Sequence, residues 1–222
     1  MQNGSHVSLN ADDNSTDCTF CQRSKINYIL KEAPNFLLAV DHAPLLEGHL
    51  LIIPKQHCTC YGDVPAEFDA ELAALKQEVQ AFFAQYYVPA VFWEHGVFRQ
   101  TVFHAHLHCF PFGETTYDLE SELHGLVVHS QEEIRAWHIT RGHYFYMEDT
   151  RAALLFPPEM ERYLHVVRHA LWHGMSARTG EHQWRSPQQR YEEGAPLIET
   201  TIARWQLFQQ QGANYANETS AR

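Results

Sequence analysis

Short apolar runs along the first half of the chain predict strands. Residues 26–32 and 36–40 look like two strands with the turn sequence Ala33-Pro34-Asn35 between them. Residues 48–53 form an apolar run that ends at Pro54, which is typical of a buried strand. Residues 90–93 and 102–110 follow the same pattern, and we expect them to belong to one sheet.

The apolar spacing changes to three and four residues after Asp63 and Pro65, which predicts an amphipathic helix that ends before Pro89. The residues on its apolar face are Phe68, Leu72, Leu75, Val79, Phe82 and Tyr86.

The second half of the chain has its own pattern. Residues 114–122 are acidic and loop-like, 142–147 and 152–156 look like strands, and 159–172 look like a helix. A loop is expected at 184–194, and a last helix carries Ile198, Ile202, Trp205 and Phe208. The polar ends read as disordered tails. We therefore divide the chain into a tail (1–17), a domain (18–114), an extension packed on it (115–210) and a tail (211–222).

Charge and composition exclude several classes of function. The 222-residue chain has 16 basic and 27 acidic residues, a net charge of −11, which argues against a polynucleotide partner. No apolar run approaches the roughly 18 residues of a membrane span, and no secretory signal is visible. We therefore expect a cytoplasmic protein without a membrane partner. Its five cysteines, an odd number, favour reduced thiols or metal ligands.

Three histidines alternate along the predicted strand 102–110. In an extended strand His104, His106 and His108 would line one face at spacings of about 6.6 Å, while Ala105, Leu107 and Cys109 face the core. Packing explains such a face poorly, because unpaired imidazoles are costly to bury. A neutral imidazole can attack phosphorus and form a phosphoramidate, so the pattern favours nucleophilic catalysis over a merely polar outer face.

A second candidate cluster begins at the sequence Cys18-Thr19-Phe20-Cys21. The hairpin pattern that follows is not the βαβ context of a redox motif, so a structural zinc site is favoured. His57 and His104 are the candidate third and fourth ligands. Cys58 and Cys60 are rival ligands, and plain buried thiols are the alternative.

His165, His169 and His173 recur at intervals of four on the predicted helix 159–172 and just beyond it. This spacing can serve a metal. A partly solvated helix face is the favoured interpretation.

Several of these motifs together resemble the histidine triad (HIT) superfamily. The motifs cover residues 18–112 and stand in the order that the superfamily shows. They are the Cys18/Cys21 pair, Asp41-x-x-Pro44, the segment Gly48-His49-Leu50-Leu51-Ile52-Ile53-Pro54-Lys55-x-His57, Gln100-Thr101-Val102 and the triad His104-x-His106-x-His108. The resemblance implies an α+β fold with a HIT-like antiparallel sheet and helices, here followed by a C-terminal α/β extension, and a homodimer.

The resemblance also implies residue roles. His106 matches the nucleophile that becomes nucleotidylated, and His108 matches the residue that assists proton transfer beside the phosphate. Asp41 matches the ribose-binding acid, and Gln100 and Thr101 match hydrogen-bond donors to the phosphate or leaving group. Cys18, Cys21, His57 and His104 match the structural Zn²⁺ set of the zinc-containing branches.

Two positions depart from the pattern of the nucleoside phosphoramidases of this superfamily. Glu94 stands where asparagine is usual, and Arg99 stands where glycine is usual. A carboxylate near a phosphate is unfavourable unless it is turned away, protonated or paired. Arg99 is expected either to pair with Glu94 or to bind phosphate.

The sequence therefore predicts an enzyme that hydrolyses or transfers a nucleotide at its α-phosphate through a covalent intermediate on His106. Its ligand would be a nucleotide or nucleotide conjugate. One alternative is a non-catalytic nucleotide-binding module. Another is a metal-dependent enzyme with the three histidines as ligands, but the carboxylates that cupin-like or metallo-β-lactamase-like sites need are missing at the required spacing.

Overall fold

The structure is a computed structural model, and it describes residues 17–115, 119, 124–180 and 185–220, with side chains up to residue 212. Within these residues eight strands form one sheet in the order β1-β2-β3-β5-β4-β7-β8-β6, with every neighbouring pair antiparallel. The strands are β1 Ile29–Glu32, β2 Phe36–Val40, β3 Leu50–Pro54, β4 Val91–Glu94, β5 Leu107–Phe110, β6 Leu126–Val127, β7 Phe145–Glu148 and β8 Ala153–Phe156.

Helices cover both faces of this sheet. They are α1 Asp69–Tyr86, α2 Gln131–Arg141, α3 Met160–Val166, α4 His173–Thr179, α5 Pro187–Glu193 and α6 Ala195–Ser220. A π-helical segment, Val167–Trp172, joins α3 to α4 in one rod. The expected α+β class with an antiparallel sheet is confirmed.

The second half of the chain completes the sheet of the first half. Strand β4 pairs with β7, and Trp93 lies opposite Met147 in the register. Without β7, β4 would be an edge strand with unpaired backbone groups. Segment 115–210 therefore does more than pack on the domain, since it contributes three of the eight strands.

The two sheet faces bury different clusters. One face, with Leu38, Ile52 and Phe92, packs under α1, α2 and α6. The other face carries Trp93 and Met147 beneath the α3–α4 rod, and a smaller cluster around Leu37, Leu51 and Ile53 at the β1 end.

Loop 41–49, between β2 and β3, is held by the C-terminal helices. Thr201 of α6 accepts a hydrogen bond from the Gly48 N–H at 2.9 Å, and Arg190 of α5 donates to the Ala43 carbonyl at 2.8 Å. Arg185 reaches the Leu45 carbonyl at 3.4 Å. The extension therefore fixes a loop that belongs to the N-terminal half.

Three helical features differ from the sequence prediction. The expected loop 184–194 contains α5, which begins with a capping box between Ser186 and Gln189 and has Pro187 in its first turn. Helix α2 was not predicted, although Ser130 caps it. The last helix continues to Ser220 through most of the expected tail 211–222.

Helix α1 begins later than predicted. Two short 3₁₀ turns, Tyr61–Asp63 and Ala66–Phe68, occupy the expected start, and the α-helix begins at Asp69. The expected N-terminal tail lies outside the described residues except for Asp17.

In the part of the chain that the structure describes, no helix combines the length and apolar character needed to cross a bilayer.

We expect Trp205→Ala to destabilise the fold by about 3–5 kcal/mol. The Trp205 side chain is 3 % exposed and packs against Phe82 of α1 at 5.1 Å between ring centroids, so truncation would leave a cavity between α1 and α6. Urea unfolding followed by circular dichroism measures the effect. Leu207→Ala on the same helix, where Leu207 is half exposed, is the control and should change stability by less than about 0.5 kcal/mol. Equal effects of the two substitutions would contradict this packing.

Candidate functional site

The three histidines of the triad do not share one strand face. Only His108 lies in β5, whereas His104 and His106 lie in the loop before it. The ladder between β3 and β5 runs from Leu50 to Ile52, and Pro54 has no N–H with which to continue it. The Ala105 N–H instead donates to the Cys58 carbonyl at 2.6 Å.

The predicted strand 102–110 is therefore wrong in its first half. The prediction that Ala105, Leu107 and Cys109 are buried is confirmed. His104 turns toward the cysteine cluster, while the rings of His106 and His108 lie 4.9 Å apart.

The hydrogen bond of His106 defines its tautomer. Its Nδ1 lies 2.7 Å from the His104 carbonyl oxygen, and a carbonyl can only accept, so Nδ1 carries the proton. In the neutral ring the lone pair is then on Nε2. Burial lowers the pKa of His106, and this favours the neutral ring at neutral pH. The side chain keeps a small exposed surface, with 7 % of the residue accessible.

His49, which immediately precedes β3, orients His108 through a chain of hydrogen bonds. The Leu45 N–H donates to His49 Nδ1 at 3.2 Å, so the His49 proton is on Nε2. That Nε2–H faces His108 Nδ1 at 3.0 Å, which leaves the proton of a neutral His108 on its own Nε2. Burial lowers the pKa of His49 to about 4 and that of His108 well below its usual value. His108 is therefore a neutral ring whose Nε2–H can donate a hydrogen bond beside His106.

Asp41 lies next to this pair of histidines. Its Oδ1 accepts from the Ala43 N–H at 2.7 Å, and its Oδ2 is 3.6 Å from His49 Nε2. Burial opposes ionisation of Asp41, but the facing His49 imidazole, the Ala43 hydrogen bond and the Arg190 charge together lower its pKa. An ionised acid therefore lies beside the histidines.

The sequence analysis assigned no role to His49 or Arg190. His49 stood inside the Gly48-to-His57 motif, and its histidine identity ahead of an apolar strand was the available signal. Arg190 was placed in a loop. The structure instead puts it on α5, where its buried Nε has no hydrogen-bond partner among the described residues.

Gln100 and Arg99 make hydrogen-bond contacts with parts of the structure other than the histidine rings. Gln100 is buried and donates to the Thr59 carbonyl at 2.9 Å, and Thr101 is exposed. Arg99 is exposed, and its backbone has φ 60°, the left-handed conformation that suits the glycine usual at this position. Its guanidinium approaches the Met160 sulfur at 3.9 Å.

Glu94 lies on the sheet face opposite His108. Its neighbour Trp93 pairs with His108, and alternation along β4 directs Glu94 to the other side. There its carboxylate accepts hydrogen bonds from the Tyr61 N–H and the Tyr144 hydroxyl, both at 2.8 Å. The carboxyl is thus turned away from the histidines, and Arg99 is not its partner among the described residues. Burial raises the pKa of Glu94 to about 7.

Cys18, Cys21, His57 and His104 converge on one point, with ligand atoms all within 4.8 Å of one another. Cys18 Sγ is 3.4 Å from His104 Nδ1, and Cys21 Sγ is 3.2 Å from His57 Nδ1. Tetrahedral zinc would hold sulfur and nitrogen about 3.5 Å apart. His104 Nε2 lies 2.7 Å from the Pro54 carbonyl, which fixes Nδ1 as the ligating nitrogen. The residues present therefore fit a closed structural zinc site.

The rival ligands Cys58 and Cys60 are not part of this cluster. The turn between Cys18 and Cys21 places Phe20 edge-on to His106, with 5.3 Å between ring centroids. The cysteine cluster is therefore in contact with the candidate nucleophile.

The histidines of the α3–α4 rod stack instead of converging. His165 and His169 lie 4.2 Å apart between ring centroids, and His169 and His173 lie 5.9 Å apart. Among the described residues they form no group that could hold a metal.

Comparison with known proteins identifies the family. The family model described as "Protein similar to CwfJ C-terminal" matches residues 8–124. An uncharacterized HIT-like protein of Mycobacterium tuberculosis is 33 % identical over 106 residues, which is 42 % of this chain and 70 % of that protein. A zinc-bound histidine triad family protein from Mycobacterium smegmatis is 34 % identical over 44 % of this chain and 76 % of its own, with a TM-score of 0.38.

A rice protein named zinc finger CCCH domain-containing protein 59 is 27 % identical over 82 residues, or 36 % of this chain. The match spans only 13 % of that protein's length. The chain belongs to the family of proteins similar to the CwfJ C-terminal region and, with the HIT-like proteins, to the histidine triad superfamily.

Ionisation of Glu94 should lower the free energy of unfolding as pH rises. Its folded pKa of about 7 lies above the ordinary 4.5, so the folded state binds the extra proton between these values. The resulting contribution of Glu94 to the free energy of unfolding is on the order of 3 kcal/mol. It is fully present below about pH 4.5 and is lost as pH rises through 7.

Glu94→Gln should flatten this slope between pH 5 and 8 in urea unfolding. Glu114→Gln, at an exposed carboxylate, is the control and should leave the slope unchanged. An identical slope in Glu94→Gln and wild type would show that Glu94 is ionised throughout this range.

Proposed function

We propose that the protein hydrolyses or transfers a nucleotide at the α-phosphate through a covalent intermediate on His106. The observation that supports this most directly is the 2.7 Å hydrogen bond from His106 Nδ1 to the His104 carbonyl. It holds the Nε2 lone pair ready for attack without any need for a general base. Membership in the histidine triad superfamily agrees with this role.

In the first step His106 Nε2 attacks the α-phosphorus and forms an N–P bond, and the bond from phosphorus to the leaving group breaks. The His108 Nε2–H, whose position the His49 hydrogen bond determines, donates a hydrogen bond to the leaving group, which takes any proton it needs from solvent. In the second step water, or another hydroxyl acceptor, attacks phosphorus, the N–P bond breaks, and the acceptor releases its proton to solvent while His108 keeps its own. The enzyme ends in its starting protonation state.

Asp41 is proposed to bind the ribose hydroxyls, because its carboxylate lies beside the histidine pair and its pKa is lowered. Gln100, Thr101 and Arg99 are proposed as groups that act on the phosphate or leaving group. All three belong to the loop that leads into the triad. The ligand would be a nucleotide or nucleotide conjugate. A homodimer and a cytoplasmic location stay predictions from the sequence.

We also propose a structural Zn²⁺ held by Cys18, Cys21, His57 and His104. Such an ion would join the N-terminal turn to the loop before β5 through coordinate bonds. The residues themselves then do two things for the site. The His104 backbone presents the carbonyl that accepts the hydrogen bond from His106 Nδ1–H, and Phe20 packs against the His106 ring.

A non-catalytic nucleotide-binding module remains the alternative. A metal-dependent enzyme on His104, His106 and His108 gains no support, because His104 joins the cysteine cluster while His108 lies with Asp41 and His49.

The central experiment is intact-protein mass spectrometry after exposure to nucleoside phosphoramidates, dinucleoside polyphosphates and nucleotide sugars. Wild type should gain the mass of one nucleotidyl group in an acid-labile linkage, and His106→Ala should gain none and lose turnover. His108→Ala should slow turnover by about 10²–10³-fold, because a hydrogen-bond donor to the reacting group is lost.

His143→Ala is the control, because this exposed histidine lies outside the site, and it should label normally. Normal turnover by His106→Ala would refute the covalent mechanism. Binding without turnover for every substrate class would favour the non-catalytic module.

The structural zinc has its own test. Elemental analysis of Cys21→Ser should show one zinc equivalent less than wild type, and its unfolding temperature should be lower, since a structural site contributes to folding. Cys109→Ser, which changes a buried thiol outside the cluster, should keep its zinc. Equal zinc content in wild type and Cys21→Ser would exclude this ligand set.

A further inference from the structure

A second cluster of metal-binding side chains joins the N-terminal half of the chain to the extension. It consists of Cys60 and Asp63, at the 3₁₀ turn Tyr61–Asp63, and His138 of α2. Their ligand atoms all lie within 4.8 Å of one another. This cluster shares no residue with the cysteine cluster of Cys18, Cys21, His57 and His104, and it includes neither His106 nor His108.

The distances suit a tetrahedral ion. Cys60 Sγ is 3.8 Å from both His138 Nε2 and Asp63 Oδ2, and His138 Nε2 is 3.0 Å from Asp63 Oδ1. Around tetrahedral zinc, sulfur lies about 3.5 Å from nitrogen or oxygen, and nitrogen lies about 3.4 Å from oxygen. The Cys60 sulfur, His138 Nε2 and the two carboxylate oxygens of Asp63 are therefore close to the separations that such an ion needs, with one of those oxygens as the ligand.

The surroundings of the cluster resemble the support that metal ligands have. His138 Nδ1 lies 3.3 Å from the Gly142 carbonyl, which places a proton on Nδ1 and leaves Nε2 as the ligand atom. Thr59 Oγ1 donates to Asp63 Oδ2. These hydrogen bonds orient His138 and Asp63, respectively, as metal ligands.

Gly62 makes the close approach of α2 possible. A Cβ at this position would lie 2.5 Å from the Cβ of His138, a separation that real side chains do not tolerate. Any residue other than glycine would therefore push α2 away and separate His138 from Cys60. The backbone of the turn and the helix are thus fitted to each other at the cluster itself.

We propose that Cys60, Asp63 and His138 bind a zinc-type divalent ion that ties the 3₁₀ turn to α2. A thiolate, an imidazole and a carboxylate form a donor set that zinc prefers. Binding replaces the Cys60 S–H bond with an S–metal bond and releases that proton to solvent. With three protein ligands, the fourth position is left for water, which the partly exposed side chains of Asp63 and His138 permit.

Cobalt titration of the full chain, stripped of metal and reduced, tests the proposal, because Co²⁺ reports thiolate ligation through its charge-transfer absorption. Wild type should bind two equivalents, and Cys60→Ser should bind one. Cys21→Ser should keep one equivalent with the charge-transfer band of a single thiolate. Asp63→Asn should weaken that remaining site by at least about 10-fold.

Cys58→Ser is the matched control, since Cys58 is a buried thiol two residues from Cys60 and belongs to neither cluster. Circular dichroism establishes that each variant is folded. Asp63→Asn decides the question if Cys60→Ser does not fold, because the Asp63 side chain is 37 % exposed and can be replaced without a cavity.

Two results would overturn the proposal. One is that Cys21→Ser binds no cobalt, and the other is that Asp63→Asn binds with wild-type affinity in the Cys21→Ser background. In both cases the Asp63–His138 contact holds no metal. Neither result bears on nucleotidylation of His106, which the mass-spectrometric experiment measures independently.

Discussion

The end of the ladder between β3 and β5 determines the arrangement of the candidate site. Pairing stops at Ile52 and Leu107, and Pro54 offers no N–H beyond this point. The chain before β5 therefore leaves the strand conformation. Because it does so, His104 can turn to the cysteines, while its carbonyl accepts a hydrogen bond from His106 Nδ1–H. A regular strand would have kept all three imidazoles on one face, where they would have had similar surroundings.

The three imidazoles consequently have different partners. His104 contacts sulfur and a backbone carbonyl, His106 contacts a backbone carbonyl, and His108 contacts another imidazole. Each partner determines which ring nitrogen carries the proton. Burial lowers the pKa of His106 and of His108, so both rings are neutral near pH 7. His106 can then act as a nucleophile, and His108 can act as a hydrogen-bond donor.

The C-terminal extension is part of the same structure and supports the site from two sides. Strand β7 pairs with β4, whose other neighbour is β5, so the extension borders the strand that carries His108. On the other side, Arg190 and Thr201 hold loop 41–49, which carries Asp41 and His49. The extension also carries His138, which completes the second metal cluster.

The sequence by itself determined the superfamily and the α+β class, and it predicts the candidate site residues, because these depend on residue types at short, definite spacings. Apolar periodicity also located α1 and most strands of the first half. Only the tertiary structure decided that β4 pairs with β7, that Glu94 faces away from His108, that His49 lies beside Asp41 and that Arg190 binds the loop that carries Asp41. These relations join residues far apart in the chain. Strand pairing, burial and hydrogen bonding establish them, and no local pattern of residues encodes which distant partners will meet.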